Sequence, residues 1–198
     1  MQTQLLRSPA LGFAVEEDYE YILVVRPTDE VCNQVTEEMQ QFYATYRHKA
    51  AINTKPHITV TRFFARQAME ETIIRYMHRI TSTQKCFSVM LNNYSSNPGN
   101  NIFIRVQEHE PFKQLYNALA PVNQYIQRSG YPAAVRVVKP HLTVAKKLQQ
   151  SIYNTAIFDY SQKLFCASFM VNGLVLLKRR SHFDAFTQVN VFKLAPND

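Results

Sequence analysis

The sequence predicts an α+β fold: two pseudo-symmetric lobes of antiparallel sheet and helices around a central cleft. Two observations carry this. Strand-like and helix-like segments alternate in an order that roughly repeats in the second half of the chain. A six-residue motif also occurs twice, once in each half, and no linker-like stretch separates the halves. The 198 residues suffice for one substantial core or for two small lobes sharing an interface. The expectation is one bilobal domain over 1–198, with residues 1–17 as a loose lead-in.

The elements follow in order. Tyr21-Ile22-Leu23-Val24-Val25 is a continuous apolar run rich in β-branched residues and reads as a buried strand. Pro27 ends it, and Thr28 or Asp29 can cap the next helix, whose apolar stripe is Val31, Val35, Met39, Phe42 and Tyr46. Residues 58–64 read as a strand, and Met69, Ile73, Met77 and Ile80 mark a second helix. Residues 85–91 and 101–107 read as strands joined by a loop over 92–100, rich in Asn, Ser, Pro and Gly. Phe112, Leu115, Leu119, Val122 and Ile126 mark a third helix, which Pro121 is expected to kink or split and Gly130 to stop. Residues 135–138 and 142–147 are extended, 150–160 form a short helix, and 165–171, 174–178 and 185–192 close the chain as strands.

Composition narrows the class without naming a function. The chain is 46% hydrophobic and 19% charged, ordinary globular values. Its net charge of +7 and pI of about 9.4 attract polyanions such as nucleic acids, nucleotides or an anionic membrane, and charge alone does not choose among them. Cys32, Cys86 and Cys166 are odd in number and widely spaced, so neither a disulfide framework nor a zinc site is expected. The start lacks the basic-then-apolar pattern of a secretory signal, and no stretch reaches the roughly 20 apolar residues of a membrane span. A cytoplasmic protein with reduced thiols, no membrane contact and no obligate protein partner is the expectation.

The chemistry lies in the repeated motif. Lys55-Pro56-His57-Ile58-Thr59-Val60 recurs as Lys139-Pro140-His141-Leu142-Thr143-Val144, identical at five of six positions. On a strand, alternate side chains share a face. His57 and Thr59 then point one way, and Ile58 and Val60 the other, into the core. His141 and Thr143 repeat this. Pseudo-symmetric lobes would aim two imidazoles and two hydroxyls at one small volume. Imidazoles titrate near neutral pH, so one can activate an attacking oxygen while the other protonates a leaving oxygen. The threonine hydroxyls can donate to phosphate oxygens. This is phosphoryl chemistry, and it needs no metal or other cofactor. Arg62 and Lys146 each lie five residues after a motif histidine. By strict alternation they face away from it, reaching the cleft only if a bulge or the strand end re-aims them.

The two motifs resemble those of the 2H phosphoesterase superfamily, named for its paired His-x-Thr/Ser-x signatures. The resemblance covers about residues 20–193 and is greatest to the 2′-5′ RNA ligase-like branch, whose members act as RNA 2′,3′-cyclic phosphodiesterases. It implies a bilobal α+β fold with catalytic His57 and His141 and phosphate-binding Thr59 and Thr143. It implies His57 as acid and His141 as base, with a 2′-phosphate product. A basic residue, usually arginine, follows the second motif in that branch where this chain has Lys146. The implied partner is RNA or a nucleotide carrying a cyclic phosphate or a 2′-5′ linkage. The alternatives are a 2′-5′ oligonucleotide phosphodiesterase, an enzyme for another nucleotide-derived cyclic phosphate, and a non-catalytic RNA-binding protein. Other features read as incidental. His48, His78, His109 and His182 are expected at the surface, Lys178-Arg179-Arg180 as a solvated basic turn, and Tyr131 as a packing residue that could stack on a base.

Overall fold

The computed structural model describes residues 17–48 and 55–197. The expected lead-in therefore lies almost wholly outside the described residues. The described elements are β1 (Asp18–Val25), α1 (Asp29–Tyr46), β2 (Ile58–Arg66), a 3-10 turn (Gln67–Met69), α2 (Glu70–Thr81), β3 (Phe87–Asn97) and β4 (Asn101–Val106). Then come α3 (Glu110–Ala118), α4 (Ala120–Arg128), β5 (Val135–Arg136), β6 (His141–Ala145), α5 (Gln150–Ser161), β7 (Cys166–Val171), β8 (Gly173–Arg179) and β9 (Thr187–Lys193).

All named strands join one curled antiparallel sheet in the order β7-β3-β4-β6-β2-β1-β8-β9, with β5 also pairing β2. The order places four strands on either side of the β6–β2 seam, which makes the two lobes. The helices cover one face. α1 packs on β6, α3 on β2, α2 on β9 and α5 on β3. Between helices and sheet lies the main core, including Tyr21, Phe42, Ile58, Ile73, Met77, Leu91, Ile104, Ile126 and Leu142, each fully buried. A smaller cluster of Ile22, Val24, Val175 and Leu177 occupies the other sheet face in the first lobe. β1 therefore buries both faces, which is why it reads as an unbroken apolar run.

The helix stripes match the buried residues: Val31, Val35, Met39 and Phe42 in α1, and Ile73 and Met77 in α2. Thr28 occupies the N-cap of α1 in an extended conformation, but its side chain makes no capping bond. The third helix is split at Leu119 by Pro121, giving α3 and α4, and Gly130 follows α4 at a φ of 89° that suits glycine.

One expected loop is mostly strand. β3 runs on through Asn97, and only a short turn joins it to β4. A bulge between Leu91 and Tyr94, with Asn93 at a φ of 55°, absorbs two polar residues without ending the pairing. Asn93 Oδ1 also accepts the backbone N–H of Phe165 at 3.1 Å. In the turn, Asn97 Oδ1 accepts from the backbone N–H of Gly99 (3.1 Å) and from Asn101 Nδ2 (2.9 Å). Asparagine thus serves strand and turn alike, which composition does not separate. The extended stretch at 135–138 is a shorter strand than expected: Val135 and Arg136 pair β2, and the Val137 N–H adds one bond to the Val60 carbonyl at 3.3 Å. The three cysteines are free thiols. Cys32 and Cys86 are half-buried, and Cys166 is exposed.

Candidate active site

β2 and β6 meet through one pair, Ile58 opposite Leu142. Both residues are fully buried toward the helices. Their neighbours must point the other way, so His57, Thr59, His141 and Thr143 share the open face. Extending the register by one residue sets His57 across from Thr143 and Thr59 across from His141. The two histidines are then diagonal neighbours, about 7–8 Å apart at their backbones. All four side chains are half-buried.

Each histidine is held in the same way. His57 Nδ1–H donates to the carbonyl of Lys55 at 2.8 Å, and His141 Nδ1–H donates to the carbonyl of Lys139 at 2.8 Å. A carbonyl can only accept, so Nδ1 carries the proton and the neutral ring keeps its lone pair on Nε2. Buried Pro56 and Pro140 lie between donor and acceptor and stiffen each loop. The repeated Lys-Pro-His thus supplies an acceptor, a rigid link and an oriented ring.

The neighbours follow from the registers. Val24 pairs Thr59, Val25 pairs Ile58, Phe103 pairs Thr143 and Arg105 pairs His141. One row across the sheet is therefore Arg26, His57, Thr143 and Phe103, and the next is Val24, Thr59, His141 and Arg105. Phe103 lies against the His141 ring with centroids 4.5 Å apart. Arg26 Nη1 donates to Gln188 Oε1 at 2.9 Å, and Arg105 Nε donates to the carbonyl of Asn92 at 3.1 Å.

Arg62 and Lys146 do not face away from the histidines. In β2 both Val60 and Thr61 are buried, and in β6 both Val144 and Ala145 are buried. The β1–β2 register skips Val60, and the β4–β6 register skips Val144. One bulge per motif reverses the alternation and brings Arg62 and Lys146 to the open face. Glu20, only 6% exposed, forms an ion pair with Arg62 (Nε to Oε1, 3.3 Å) and accepts from Arg179 Nε at 2.6 Å. The turn after Lys146 is tied on several sides. His48 Nε2–H donates to the Lys146 carbonyl at 3.0 Å, Asn101 Oδ1 accepts the Lys147 N–H at 2.9 Å, and Lys147 has a φ of 56°.

The cations act on one another. Burial lowers the pKa of His57; the Lys55 carbonyl opposes this, and the charges of Lys146, Arg26 and His141 reinforce it. Burial also lowers the pKa of Lys146, with Arg179, Lys147 and Arg62 adding to it. The strand registers, with one bulge in each motif, set both motifs and both following cations on one electropositive face. Among the described residues no three His, Cys, Asp or Glu side chains cluster as metal ligands, and no helix is long and apolar enough to cross a membrane.

The remaining sequence candidates are engaged elsewhere. Tyr131 donates its hydroxyl to Asp18, and Arg66 lies over its ring at 5.9 Å. Lys178 pairs Glu70 at 2.6 Å and Arg180 pairs Glu17 at 3.0 Å, so the basic run is largely ion-paired. Arg26, Arg105, Phe103 and Glu20 carry no sequence signal of a site role, and His48, expected as an incidental surface residue, braces the turn after Lys146. All five come to the site from outside the motifs, through strand pairing or just past the ends of β1 and α1.

The model of the 2′-5′ RNA ligase superfamily matches residues 27–182, most of the chain. The chain belongs to that family. Its members are phosphoesterases of the 2H type. Among solved structures, TT0787 of Thermus thermophilus superposes with a TM-score of 0.66 at 17% identity, covering 90% of this chain and 100% of that one. Escherichia coli LigT complexed with 3′-AMP gives 0.62 at 14% identity, covering 90% and 99%. The MHV ns2 PDE domain gives 0.50 at 14% identity, covering 81% and 99%. These three likenesses show the fold. A sequence comparison with curated proteins finds no match.

Proposed function

We propose that this 2H-family protein is a metal-independent phosphodiesterase that hydrolyses a 2′,3′-cyclic phosphate on RNA or a nucleotide. His57 and His141 are its acid and base. One observation carries the reading: two imidazoles on one face, each anchored through Nδ1 to the carbonyl two residues back. That arrangement leaves two Nε2 atoms to handle protons on opposite sides of one phosphorus.

In the proposed step, His141 Nε2 takes a proton from water as the water oxygen attacks phosphorus. The bond from phosphorus to the ribose 3′ oxygen breaks, and the 3′ oxygen receives a proton from His57 Nε2. The product is a 2′-phosphate and a free 3′ hydroxyl, with one proton moved from acid to base. The family resemblance supplies this division of roles. Thr59 and Thr143 hydroxyls donate to the non-bridging oxygens, and Lys146 and Arg62 offset the charge that grows on them.

The test is turnover of a panel of 2′,3′-cyclic nucleotides, short RNAs with cyclic ends and 2′-5′ dinucleotides. Cleavage of the cyclic substrates in the presence of a chelator is expected. Turnover only of 2′-5′ linkages would transfer the site to the alternative substrate, and loss of turnover on chelation would overturn the metal-free mechanism.

A further inference from the structure

The two rows around the histidines are nearly symmetric in backbone but not in side chains. Outside the four motif residues, the first lobe contributes Val24 and Arg26, and the second contributes Phe103 and Arg105. The second lobe thus offers an aromatic ring where the first offers valine. Phe103 is half-buried, so part of its ring is open beside His141.

Arg26 is exposed and stands one residue beyond the end of β1, on the face of Ile22 and Val24. One step beyond the Val25–Ile58 pair it stands across from His57, so it borders the reacting site. Its one described hydrogen bond is to the neutral Gln188 side chain, and no described carboxylate pairs with it. Three other arginines of the first lobe are ion-paired instead. Arg62 and Arg179 share Glu20, and Arg180 has Glu17. Arg26 is a guanidinium held in place but not neutralised, a form suited to bidentate contact with a phosphate. Arg26 and Phe103 end the same row, with His57 and Thr143 between them. Four adjacent strands span about 14 Å, which is longer than one nucleotide reaches while its phosphate sits between the histidines.

We propose, resting on the phosphodiesterase reading, that the substrate is a single-stranded oligonucleotide laid across this row. The base of the nucleotide bearing the reacting phosphate stacks on Phe103 in the second lobe. The neighbouring phosphate is held by Arg26 in the first lobe. The asymmetry between Phe103 and Val24 gives a pseudo-symmetric cleft a single direction for the strand.

Binding tests this without requiring turnover. The probes are an RNA trinucleotide ending in a 2′-phosphate and the nucleoside 2′-phosphate with the same terminal base, measured over a salt series. R26Q removes the charge of an exposed side chain, and R128Q on α4 is the matched control. For R26Q, the trinucleotide should lose about tenfold more affinity than the mononucleotide, the size of one charge-assisted contact. The slope of log affinity against log salt should shrink by about one for the trinucleotide. Changing Arg26 also alters the field at His57, but that effect is common to both probes and cancels in their ratio. F103A should weaken both probes by similar factors, because both carry the stacked base. Equal loss of both probes in R26Q, no loss in either, or a loss in F103A confined to the trinucleotide overturns the proposal. Wild-type protein that binds the probes but cleaves no phosphodiester would instead count against the hydrolytic function and leave the binding result standing.

Discussion

Val60 and Val144 are each the extra residue of a β-bulge, at the same step of the two motifs. Each is skipped by the register of the neighbouring strand, and each is followed by a second buried residue. An irregularity placed identically in both halves determines which face Arg62 and Lys146 occupy. Without it the histidines and the cations five residues later would lie on opposite sides of the sheet.

The bulges imply that both cations serve the phosphate. Lys146→Ala and Arg62→Ala should each raise KM for a cyclic nucleotide by about tenfold, the order of one charge-assisted hydrogen bond. Thermal unfolding of the Lys146 variant should be nearly unchanged, since that side chain makes no hydrogen bond or ion pair among the described residues. The Arg62 variant should lose some stability as well, because buried Glu20 loses one of two partners. Unchanged KM in both variants would remove the cations from the site.

The histidines should behave as one unit. His57→Ala and His141→Ala should each lower turnover by at least ~10²-fold, and the double variant should be little worse than the poorer single one. Thr59→Ala and Thr143→Ala should be milder, each removing one hydrogen bond to the phosphate. Steady-state rates on a 2′,3′-cyclic nucleotide check this, and near-normal turnover in either histidine variant would dismiss a two-histidine mechanism.

The sequence showed the motifs and the apolar stripes because both are local patterns. Strand alternation set His57 with Thr59, and His141 with Thr143, on one face of each strand, and the repeat of the motif suggested that the two faces meet; the helix of Val31, Val35, Met39 and Phe42 followed from its spacing. What was not legible depends on pairing between distant strands. Arg26 and Phe103 reach the site only because β1 pairs β2 and β4 pairs β6. His48 matters because the end of α1 comes beside the turn after Lys146. Nor could the bulges be read, since Val60-Thr61 and Val144-Ala145 look like ordinary strand residues. The loop expected over 92–100 was misread for a related reason: asparagines there bond like turn residues while the backbone stays paired.

The seam between the lobes should be sensitive to packing. Ile58 and Leu142 are both fully buried and form the one pair joining β2 to β6. Leu142→Ala should cost roughly 2–5 kcal/mol through lost burial and the cavity left behind. Because the pair also sets the distance between the histidines, activity should fall more than the loss of folded protein explains. Urea unfolding beside turnover at low denaturant measures the two effects. A variant that loses stability but keeps full specific activity would separate the seam from the chemistry.

The pH dependence tests how the histidines divide the work. The pKa of His57 is lowered by burial first and then by Lys146, Arg26 and His141, so in the free protein its ring sheds its proton at lower pH than an ordinary histidine. If His57 is the acid, activity requires its protonated form and declines as pH rises through its pKa. Removing a cation that disfavours the proton must raise that pKa. Lys146→Met should therefore move the alkaline limb of the kcat/KM profile to higher pH and leave the acid limb, set by the base, nearly in place. If His57 is instead the base, activity requires its neutral form and the acid limb moves up. A proton titration of the His57 ring by NMR, in wild type and Lys146→Met, fixes the direction independently of turnover. An upward shift of the ring's pKa together with an upward-moving alkaline limb supports the acid role. The same upward shift with a moving acid limb would reverse the two roles, and an unshifted ring would mean that Lys146 does not reach His57.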